Sequence, residues 1–513
     1  MSRIERGTAL VVGRRVGPCP DAFELFRSIA REHPDEALLF ETGESVGGAP
    51  LHLVVTKAAA KIRSQGRRVK VVACDADGSG LVEHLAERFA TYVVERAAAP
   101  VATLDLQFPP PPPDDDPEEE LRAPHPLDVI RAATFGIRTS GYPDRFALFA
   151  AGVVEHGGDF EMTIPACSIV VGPATTTVLA VAFGSDDAAS AARGARAAEA
   201  RLERAVASIE RLASDPVDVA RGAVRLGGAM RPVDAEADLD DAAFASLVDR
   251  LKAHIVAGDV FQIVPSRTFR APCADPLAAY AALRKAAPTP YQFFVPLASG
   301  VLLGASPEAS VRVRSERAGA PPAIEVCPIA GTRRRGATPD EDDRLELELR
   351  LDEKELAEHV MLVDLARNDV ARVAEPGTRR VTELMHVERF ARVMHLCSTV
   401  AGVLRGDLDA LHAFVACTPP GTLVGAPKRR AVEILGELET RRGVYGGAVG
   451  YVTSGGELDM AIVIRSALVR DGVASVLAGA GVVAASDPVR ETDETRRKAS
   501  ALLEVLAATG GAS

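Results

Sequence analysis

Apolar positions alternate with polar ones in some stretches of the chain and recur every three or four residues in others, so the pattern predicts both strands and helices. Predicted strands lie at 37–41, 51–55, 69–73, 90–95, 261–269 and 395–404, and predicted helices at 21–33, 187–213, 241–256 and 276–287. Near the C-terminus, Gly455-Gly456 and Asp471-Gly472 separate apolar runs, which indicates antiparallel hairpins. Strands in groups, with helices between the groups, are typical of an α+β fold rather than of a parallel Rossmann sheet.

The stretch 354–369, KELAEHVMLVDLARND, is apolar around most of its circumference, which predicts a buried helix. Glu355 and Glu358 lie three apart near its start and therefore share one face. Acids in a first helical turn commonly complement the helix dipole in water, and that interpretation stays open. The second interpretation is an Mg²⁺ site, because two carboxylates that enter an interior need a cation or a proton.

A C-terminal helix, predicted to begin at Asp487-Pro488, repeats this spacing. Glu491 and Glu494 lie three apart on one face, and Lys498 follows one turn later. Two helices that each present a carboxylate pair are able to hold one divalent ion between them. For each pair alone, a solvated surface is the commoner arrangement, and that interpretation stays open.

Composition narrows the class of protein. A chain of 513 residues is too long for one simple core, and we predict an N-terminal region at 1–235 and a catalytic region at 236–513. The net charge of −12 argues against nucleic-acid binding and against anionic membrane surfaces. No apolar stretch is long enough to cross a membrane, and the N-terminus lacks a signal peptide, so we expect a cytoplasmic protein.

The cysteines and one biased segment add two further expectations. The seven cysteines are scattered and never in CxxC spacing, which argues for reduced thiols and against a zinc site or a disulfide framework. Residues 109–120, PPPPPDDDPEEE, combine six prolines with a run of acids. Because prolines favour an extended chain and like charges repel, this segment is predicted to be a solvated loop with neither helix nor strand.

Three further features have both a structural and a functional interpretation. Arg465 falls within the run AIVIRSALV, where alternation predicts a mid-strand arginine that either points to solvent or binds an anion. The glycines of Gly479–Gly481 either form a bulge or let the backbone approach a carboxylate. His395 is either a satisfied core histidine or a group that exchanges protons.

Eleven motifs in order between about residues 240 and 507 carry a family resemblance, among them GDVFQIVPSR, GASPE, PIAGTRRRG, GTLVGAPK and DETRRKA. This part of the chain resembles the chorismate-utilising enzymes, and within them the large subunits (component I) of anthranilate synthases. The resemblance implies an α+β fold with two large antiparallel sheets packed around a central cleft and helices outside. It also implies Mg²⁺-dependent amination of chorismate by ammonia at C2 and elimination of pyruvate, which gives anthranilate, the first committed product of tryptophan biosynthesis.

The same resemblance assigns roles to individual residues. Glu358 and Glu494 are implied as direct Mg²⁺ ligands, with Glu355 and Glu491 bound through water. His395 is implied as the residue that moves protons, and Thr422 as a catalytic residue in a neighbouring loop. The implied substrate-binding residues are Gly331, Thr332, Tyr445, Arg465, Gly479, Ala480, Gly481 and Lys498.

Two positions distinguish the members of the family. Relatives that make aminodeoxychorismate carry a lysine where this chain has Ala330, and relatives that add water carry a lysine base where it has Gln262. An amide cannot deprotonate water and alanine cannot act as a nucleophile, so anthranilate formation is the reaction that remains. Two alternatives stay open: a 2-amino-2-deoxyisochorismate synthase that lacks the pyruvate-lyase step, and a non-catalytic regulatory homologue.

The resemblance also implies a protein partner and an inhibitor. Relatives take ammonia from glutamine through an amidotransferase with a Gly-flanked cysteine nucleophile, and no cysteine here has that setting, so a glutamine amidotransferase subunit (component II) is expected as partner. A tryptophan feedback pocket is implied at Glu41, Thr42, Pro290, Tyr291 and Gln292. Related enzymes typically carry methionine at the position of Gln292, so the strength of inhibition is left open.

Overall fold

The computed structural model describes residues 4–43, 50–99, 101–111, 116–214, 235–315, 317, 319–390, 393–439 and 441–510. Its strands are β1 Thr8–Val16, β2 Leu38–Thr42, β3 Leu51–Gln65, β4 Arg68–Ala73, β5 Val93–Ala97, β6 Thr103–Gln107, β7 Arg138–Gly141, β8 Phe149–Val154, β9 Phe160–Val171, β10 Thr176–Phe183, β11 Glu236–Ala237, β12 Gln262–Ile263, β13 Ser266–Pro272, β14 Tyr291–Leu297, β15 Gly300–Ser306, β16 Ala309–Arg314, β17 Ala323–Val326, β18 Ile329–Arg334, β19 Arg380–Arg389, β20 Val393–Val403, β21 Gly425–Ala426, β22 Ala448–Thr453, β23 Leu458–Ile462, β24 Ser466–Arg470 and β25 Val473–Gly479. Its helices are α1 Ala22–Glu32, α2 Ser79–Arg88, α3 Pro117–Arg122, α4 Asp128–Thr134, α5 Ala188–Ser214, α6 Asp241–Val256, α7 Pro276–Ala286, α8 Pro339–Leu351, α9 Glu353–Ala371, α10 Ala410–Cys417, α11 Lys428–Leu438 and α12 Pro488–Gly510.

The α+β class predicted from the sequence is confirmed. Within the described residues, the strands expected in two large sheets are hydrogen-bonded into one continuous network of 23 strands, and β12 pairs separately with β21. Almost all pairings are antiparallel, and β1 with β7 is a parallel one. The helices cover this network and turn their apolar faces towards it. In α12, for example, Leu502, Val505 and Leu506 are buried.

Strands from the N-terminal and C-terminal parts of the chain alternate in the sheet. Strand β14 pairs with its neighbour β15 on one side and with β2 on the other. Strand β22 likewise pairs with β23 and with β8. The predicted boundary at 235/236 follows residues 215–234, which lie outside the described residues, and the division into two regions stays a prediction.

Two helices place acidic side chains against the sheet. Helix α9 packs on β18 and β20, and α12 packs on β13 and β25. Each begins at an aspartate: Asp352 accepts hydrogen bonds from the first-turn N–H groups of α9, and Asp487 accepts one from the N–H of Arg490. Because these caps fix where the helices begin, they also fix which turn faces the sheet.

Two local predictions were wrong. Residues 117–122, expected in a loop, form the short helix α3, because Asp116 caps it and Pro117 occupies its first turn, where proline is tolerated. The neighbouring residues 112–115 of the acidic segment lie outside the described residues. Helix α9 is not buried all round, since Val360 is 51% exposed.

Within the described ranges, we find no helix that combines the length and the apolar character needed to span a membrane.

Candidate active site

A cavity of about 560 Å³ lies where β18, β20, β25, α9 and α12 meet. It brings together nearly all of the predicted metal, catalytic and substrate residues, which are Gly331, Thr332, Glu355, Glu358, His395, Thr422, Tyr445, Arg465, Gly479, Gly481, Glu491, Glu494 and Lys498. Ala480 is the exception. Its side chain is buried outside the lining, and its N–H donates to the carbonyl oxygen of Pro265 at 3.1 Å.

Four carboxylates from α9 and α12 converge on one side of this cavity. Burial raises the pKa of Glu358 to about 7, and repulsion from the other three acids contributes to that rise. Burial also raises the pKa of Glu355 and of Glu491. Although burial opposes it, Lys498, 2.6 Å away, lowers the pKa of Glu494. Half-buried carboxylates that repel one another favour a bound cation, and an all-oxygen donor set fits Mg²⁺.

Glycines let the backbone approach these carboxylates closely. A Cβ on Gly481 would lie 2.8 Å from Nε2 of Gln262 and 3.1 Å from Oε1 of Glu358. Gly331 has φ of +65°, and a Cβ there would lie 3.2 Å from Oε2 of Glu355. The Gln262 side chain itself donates to Oε1 of Glu358 at 2.8 Å. Gln262 is therefore an amide held against a candidate metal ligand.

His395 lies on β20 with its ring against β18. Its Nδ1 lies 3.2 Å from the carbonyl oxygen of Gly331 and 3.0 Å from Oγ1 of Thr332. Because a carbonyl only accepts, Nδ1 carries the proton and Nε2 keeps its lone pair. Burial lowers the pKa of His395 to about 4. The ring is thus neutral near pH 7 and able to accept a proton at Nε2.

Arg465 does not lie in the middle of a strand, as alternation predicted. Strand β23 ends at Ile462 and β24 begins at Ser466, and Arg465 between them has φ of +51°. This left-handed backbone is costly for a non-glycine residue and is usually retained for a reason. It directs the guanidinium towards α12, where it donates to the carbonyl oxygen of Lys498 at 2.9 Å. Alternation could not show the break, because the apolar runs 461–464 and 467–469 lie on either side of the Arg465-Ser466 pair.

Two further groups make this end of the cavity suited to an anion. Burial raises the pKa of Tyr445 to about 12, so its hydroxyl keeps its proton and can donate. Lys498 donates to the carbonyl oxygen of Gly479 at 3.0 Å. Arg465 and Lys498 thus bring positive charge into the same cavity as the four carboxylates, and Lys498 contacts Glu494 directly at 2.6 Å. Such a cavity can hold an anionic substrate.

Glu308 also lines the cavity, although it is not among the site residues predicted from the sequence. It follows β15 in the motif GASPE and is 6% exposed. Burial raises its pKa to about 8, against a smaller lowering by the Thr422 hydroxyl and the Ile329 N–H. The carboxyl is thus mostly protonated near pH 7. The available signal was an acid between two apolar strands, where a carboxylate is seldom left without a function.

The predicted feedback residues assemble away from this cavity. In the pairing of β2 with β14, Thr42 lies opposite Tyr291 and Glu41 opposite Gln292. Pro290 precedes β14, and its carbonyl oxygen accepts from the N–H of Gly43 at 2.8 Å. The cavity at this place is about 10 Å³, which holds roughly one water molecule.

Glu41 already has partners in this arrangement. Its carboxylate accepts from the Tyr280 hydroxyl at 2.8 Å and from Nε of Arg284 at 2.9 Å. Gln292 donates weakly to the carbonyl oxygens of Arg284 and Ala287, at 3.3 and 3.4 Å. An amino acid bound here would have to compete with these contacts and open the space between the strands.

Comparison with known proteins gives the class of enzyme to which this fold and this four-carboxylate cavity belong. The sequence pattern of the family described as chorismate binding enzyme matches residues 155–504, and the chain belongs to this family. All the residues that line the cavity lie within this matched region.

Individual relatives narrow the similarity further. Anthranilate synthase component 1 of Vibrio parahaemolyticus is 40% identical over 511 residues, which cover 95% of this chain and 91% of that relative. The pyocyanine-specific anthranilate synthase component 1 of Pseudomonas aeruginosa is 56% identical over 280 residues, about half of each chain (53% and 52%). The crystal structure of anthranilate synthase component I from Streptococcus pneumoniae superposes with a TM-score of 0.64 at 27% identity, covering 90% of this chain and 93% of that one.

Proposed function

We propose that this chain is the large subunit of an anthranilate synthase, which aminates chorismate with ammonia and eliminates pyruvate. The observation that carries the proposal is the cavity itself. It combines four carboxylates from two helices, the guanidinium of Arg465, a neutral histidine and a protonated carboxyl. The relatives named as anthranilate synthase component 1 support this function over the other activities of the family.

Mg²⁺ is the cation we propose for the four carboxylates. Glu358 and Glu494 would bind it directly, and Glu355 and Glu491 through water. When bound, the ion neutralises the ring carboxylate of chorismate. The enolpyruvyl carboxylate would then be held at the other end by Arg465, where the bidentate guanidinium fork suits a carboxylate.

Glu308 and His395 divide the proton transfers between them. Amination at C2 expels the C4 hydroxyl, which leaves as water if an acid protonates it. Glu308 is protonated near pH 7 and can supply that proton. Pyruvate elimination removes the remaining proton at C2 and adds one to the enolpyruvyl methylene. His395 has the free Nε2 that can take a proton, because its Nδ1 is held by Gly331.

The residues at Gln262 and Ala330 favour ammonia as the nucleophile. Ala330 lines the cavity and offers no lysine amine. The Gln262 amide donates to Glu358 and cannot act as a base towards water. Neither position can therefore promote hydration or covalent capture of the ring.

We propose that the ammonia comes from a glutamine amidotransferase subunit. All seven cysteines are free, and burial raises the pKa of each thiol. A cysteine that attacks glutamine needs the opposite shift, towards the thiolate. Free thiols also agree with a reducing compartment, and the cytoplasm remains the location we propose.

Tryptophan is the inhibitor we propose for the β2–β14 site. The support is the meeting of Glu41, Thr42, Tyr291 and Gln292 at one place. Because the space is small, tryptophan would bind a more open arrangement than the one described, and inhibition would follow from its preference for that arrangement.

The nitrogen donor provides the test of this assignment. The purified chain is incubated with chorismate and Mg²⁺, and with either an ammonium salt or glutamine, while anthranilate fluorescence is followed. We expect anthranilate with ammonium and none with glutamine. Glutamine-dependent fluorescence from the chain alone would refute the partner, and no fluorescence with either donor would refute the enzyme activity.

A further inference from the structure

A second cluster of candidate metal ligands lies on β20, the strand that carries His395, and on its neighbour β19. Strands β19 and β20 are antiparallel, and their register places His386 opposite Cys397 and Glu388 opposite His395. One ligand atom from each of His386, Glu388 and Cys397 lies within 4.8 Å of the other two. We propose that these three side chains bind a thiophilic divalent cation of the Zn²⁺ class.

The distances are close to those that such an ion requires. Zinc lies about 2.3 Å from sulfur and about 2.0–2.1 Å from nitrogen or oxygen, so two ligands of a tetrahedral site are about 3.3–3.8 Å apart. Sγ of Cys397 lies 3.7 Å from Oε2 of Glu388. The ligand nitrogen of His386 lies within 4.8 Å of both of these atoms, and side-chain rotation would bring it to the distance that the ion requires. Three protein ligands leave a fourth position for water.

The cluster is poorly satisfied without an ion. Nδ1 of His386 is buried and has no hydrogen-bond partner among the described residues, and Oε2 of Glu383 lies 3.8 Å away, beyond hydrogen-bond distance. Burial and the neighbouring carboxylate of Glu388 raise the pKa of the Cys397 thiol, so it carries its proton. A thiol 3.7 Å from a carboxylate is only a weak donor. Polar atoms arranged in this way gain more from a cation than from one another.

The charges balance when the ion binds. It displaces the proton from the Cys397 thiol, and the thiolate and the Glu388 carboxylate together neutralise a divalent cation, while His386 binds as the neutral imidazole. One proton is released for each ion. Because sulfur and nitrogen donors select softer ions than carboxylates do, this site and the four-carboxylate site would take different metals.

The sequence alone gave no indication of this site. Zinc motifs are recognised from cysteines and histidines closely spaced along the chain, and the scattered cysteines argued against one. Here two ligands come from β19 and the third from β20, so only strand pairing brings them together. The described lining of the active-site cavity includes none of the three side chains, which makes this site separate from the proposed Mg²⁺ site.

Cobalt substitution tests the proposal. The metal-free full chain is titrated with Co²⁺ in excess Mg²⁺, which occupies the carboxylate site. We expect one Co²⁺ per chain with thiolate-to-cobalt charge-transfer absorption in the near ultraviolet, and Zn²⁺ should displace it. Cys397→Ser should abolish the absorption, and His386→Asn should weaken binding at least about 100-fold, since even outer partners of metal ligands are worth 10–100-fold.

Cys417→Ser is the matched control, because Cys417 is another buried thiol with a raised pKa, at the end of α10. It should bind Co²⁺ as the unaltered chain does. Circular dichroism verifies that each variant is folded. Because His386 is half-exposed, His386→Asn disturbs the packing of the protein less than Cys397→Ser does. Absence of the charge-transfer absorption in the unaltered chain, or its persistence in Cys397→Ser, would overturn the proposal.

Discussion

Glu308 offers a substitution with opposite effects on stability and activity. In the folded protein its pKa is about 8, against an ordinary value of 4.5, and burial is the main cause. Glu308→Gln replaces a carboxyl that must be held protonated by an amide of nearly the same shape that is always neutral. The variant should therefore unfold less readily and catalyse far more slowly.

The size of the stability effect follows from proton linkage. An acid with a raised pKa in the folded state contributes its full stability below pH 4.5 and loses it as the pH rises to about 8. Each pH unit in that interval costs about 1.4 kcal/mol, so burial of Glu308 costs about 3 kcal/mol at pH 7 and about 5 kcal/mol above pH 8. The glutamine variant should regain these amounts.

Thermal unfolding between pH 5 and pH 9 measures the difference. With an unfolding entropy of roughly 1.1 kcal/mol/K for a chain of this length, the variant should melt about 3 °C higher at pH 7 and less than about 1 °C higher at pH 5. Glu437→Gln, at an exposed position of α11, is the matched control. It should melt at the same temperature as the unaltered chain at every pH in this range. Activity should fall by about 10²–10⁴, because the acid for the C4 hydroxyl is lost.

The activity of the unaltered enzyme gives an independent measurement of the same group. Since Glu308 must be protonated to donate, kcat/KM should decline as the pH rises through about 8. The residual activity of Glu308→Gln should lack that decline. A melting difference that does not change with pH would show that Glu308 is not held protonated by burial, and an activity loss below about tenfold would show that it is not the acid for the C4 hydroxyl.

Three other predictions follow from the sites. EDTA should abolish activity, and Glu358→Gln or Glu494→Gln should lower it at least about 100-fold in a folded protein; full activity in EDTA would rule out the metal. His395→Met should slow anthranilate release about 10²–10⁴-fold and chorismate consumption less, so that chromatography shows the aminated intermediate, whereas equal loss of both steps would remove His395 from proton transfer. Tryptophan should inhibit and Thr42→Ala should weaken that inhibition; calorimetry without tryptophan binding would exclude the feedback site.

Local features of the sequence predicted much of the fold that positions the site. The helix predicted at 241–256 is α6 Asp241–Val256, and the helix predicted to begin at Asp487-Pro488 is α12. Both have the apolar spacing and the acidic cap that act over one or two turns. Helical spacing also predicts that the two acids of each pair, in α9 and in α12, share one face of their helix. The structure brings both faces to one cavity.

Features that depend on distant parts of the chain were not accessible in this way. The pairing of β2 with β14 joins residues about 250 positions apart, and nothing in local periodicity specifies it. Alternation puts Arg465 in a strand because the apolar runs before Arg465 and after Ser466 hide the break in the ladder. Glu308 was missed because its importance comes from burial, which the surrounding strands create.

The fate of chorismate in the presence of labelled ammonia decides whether this chain forms anthranilate. The purified chain, chorismate, Mg²⁺ and [¹⁵N]ammonium are followed by NMR and by a pyruvate assay. We expect ¹⁵N-anthranilate and pyruvate in equal amounts, with no isochorismate. Accumulation of aminated but pyruvate-bearing product, formation of isochorismate, or unconsumed chorismate would each contradict it.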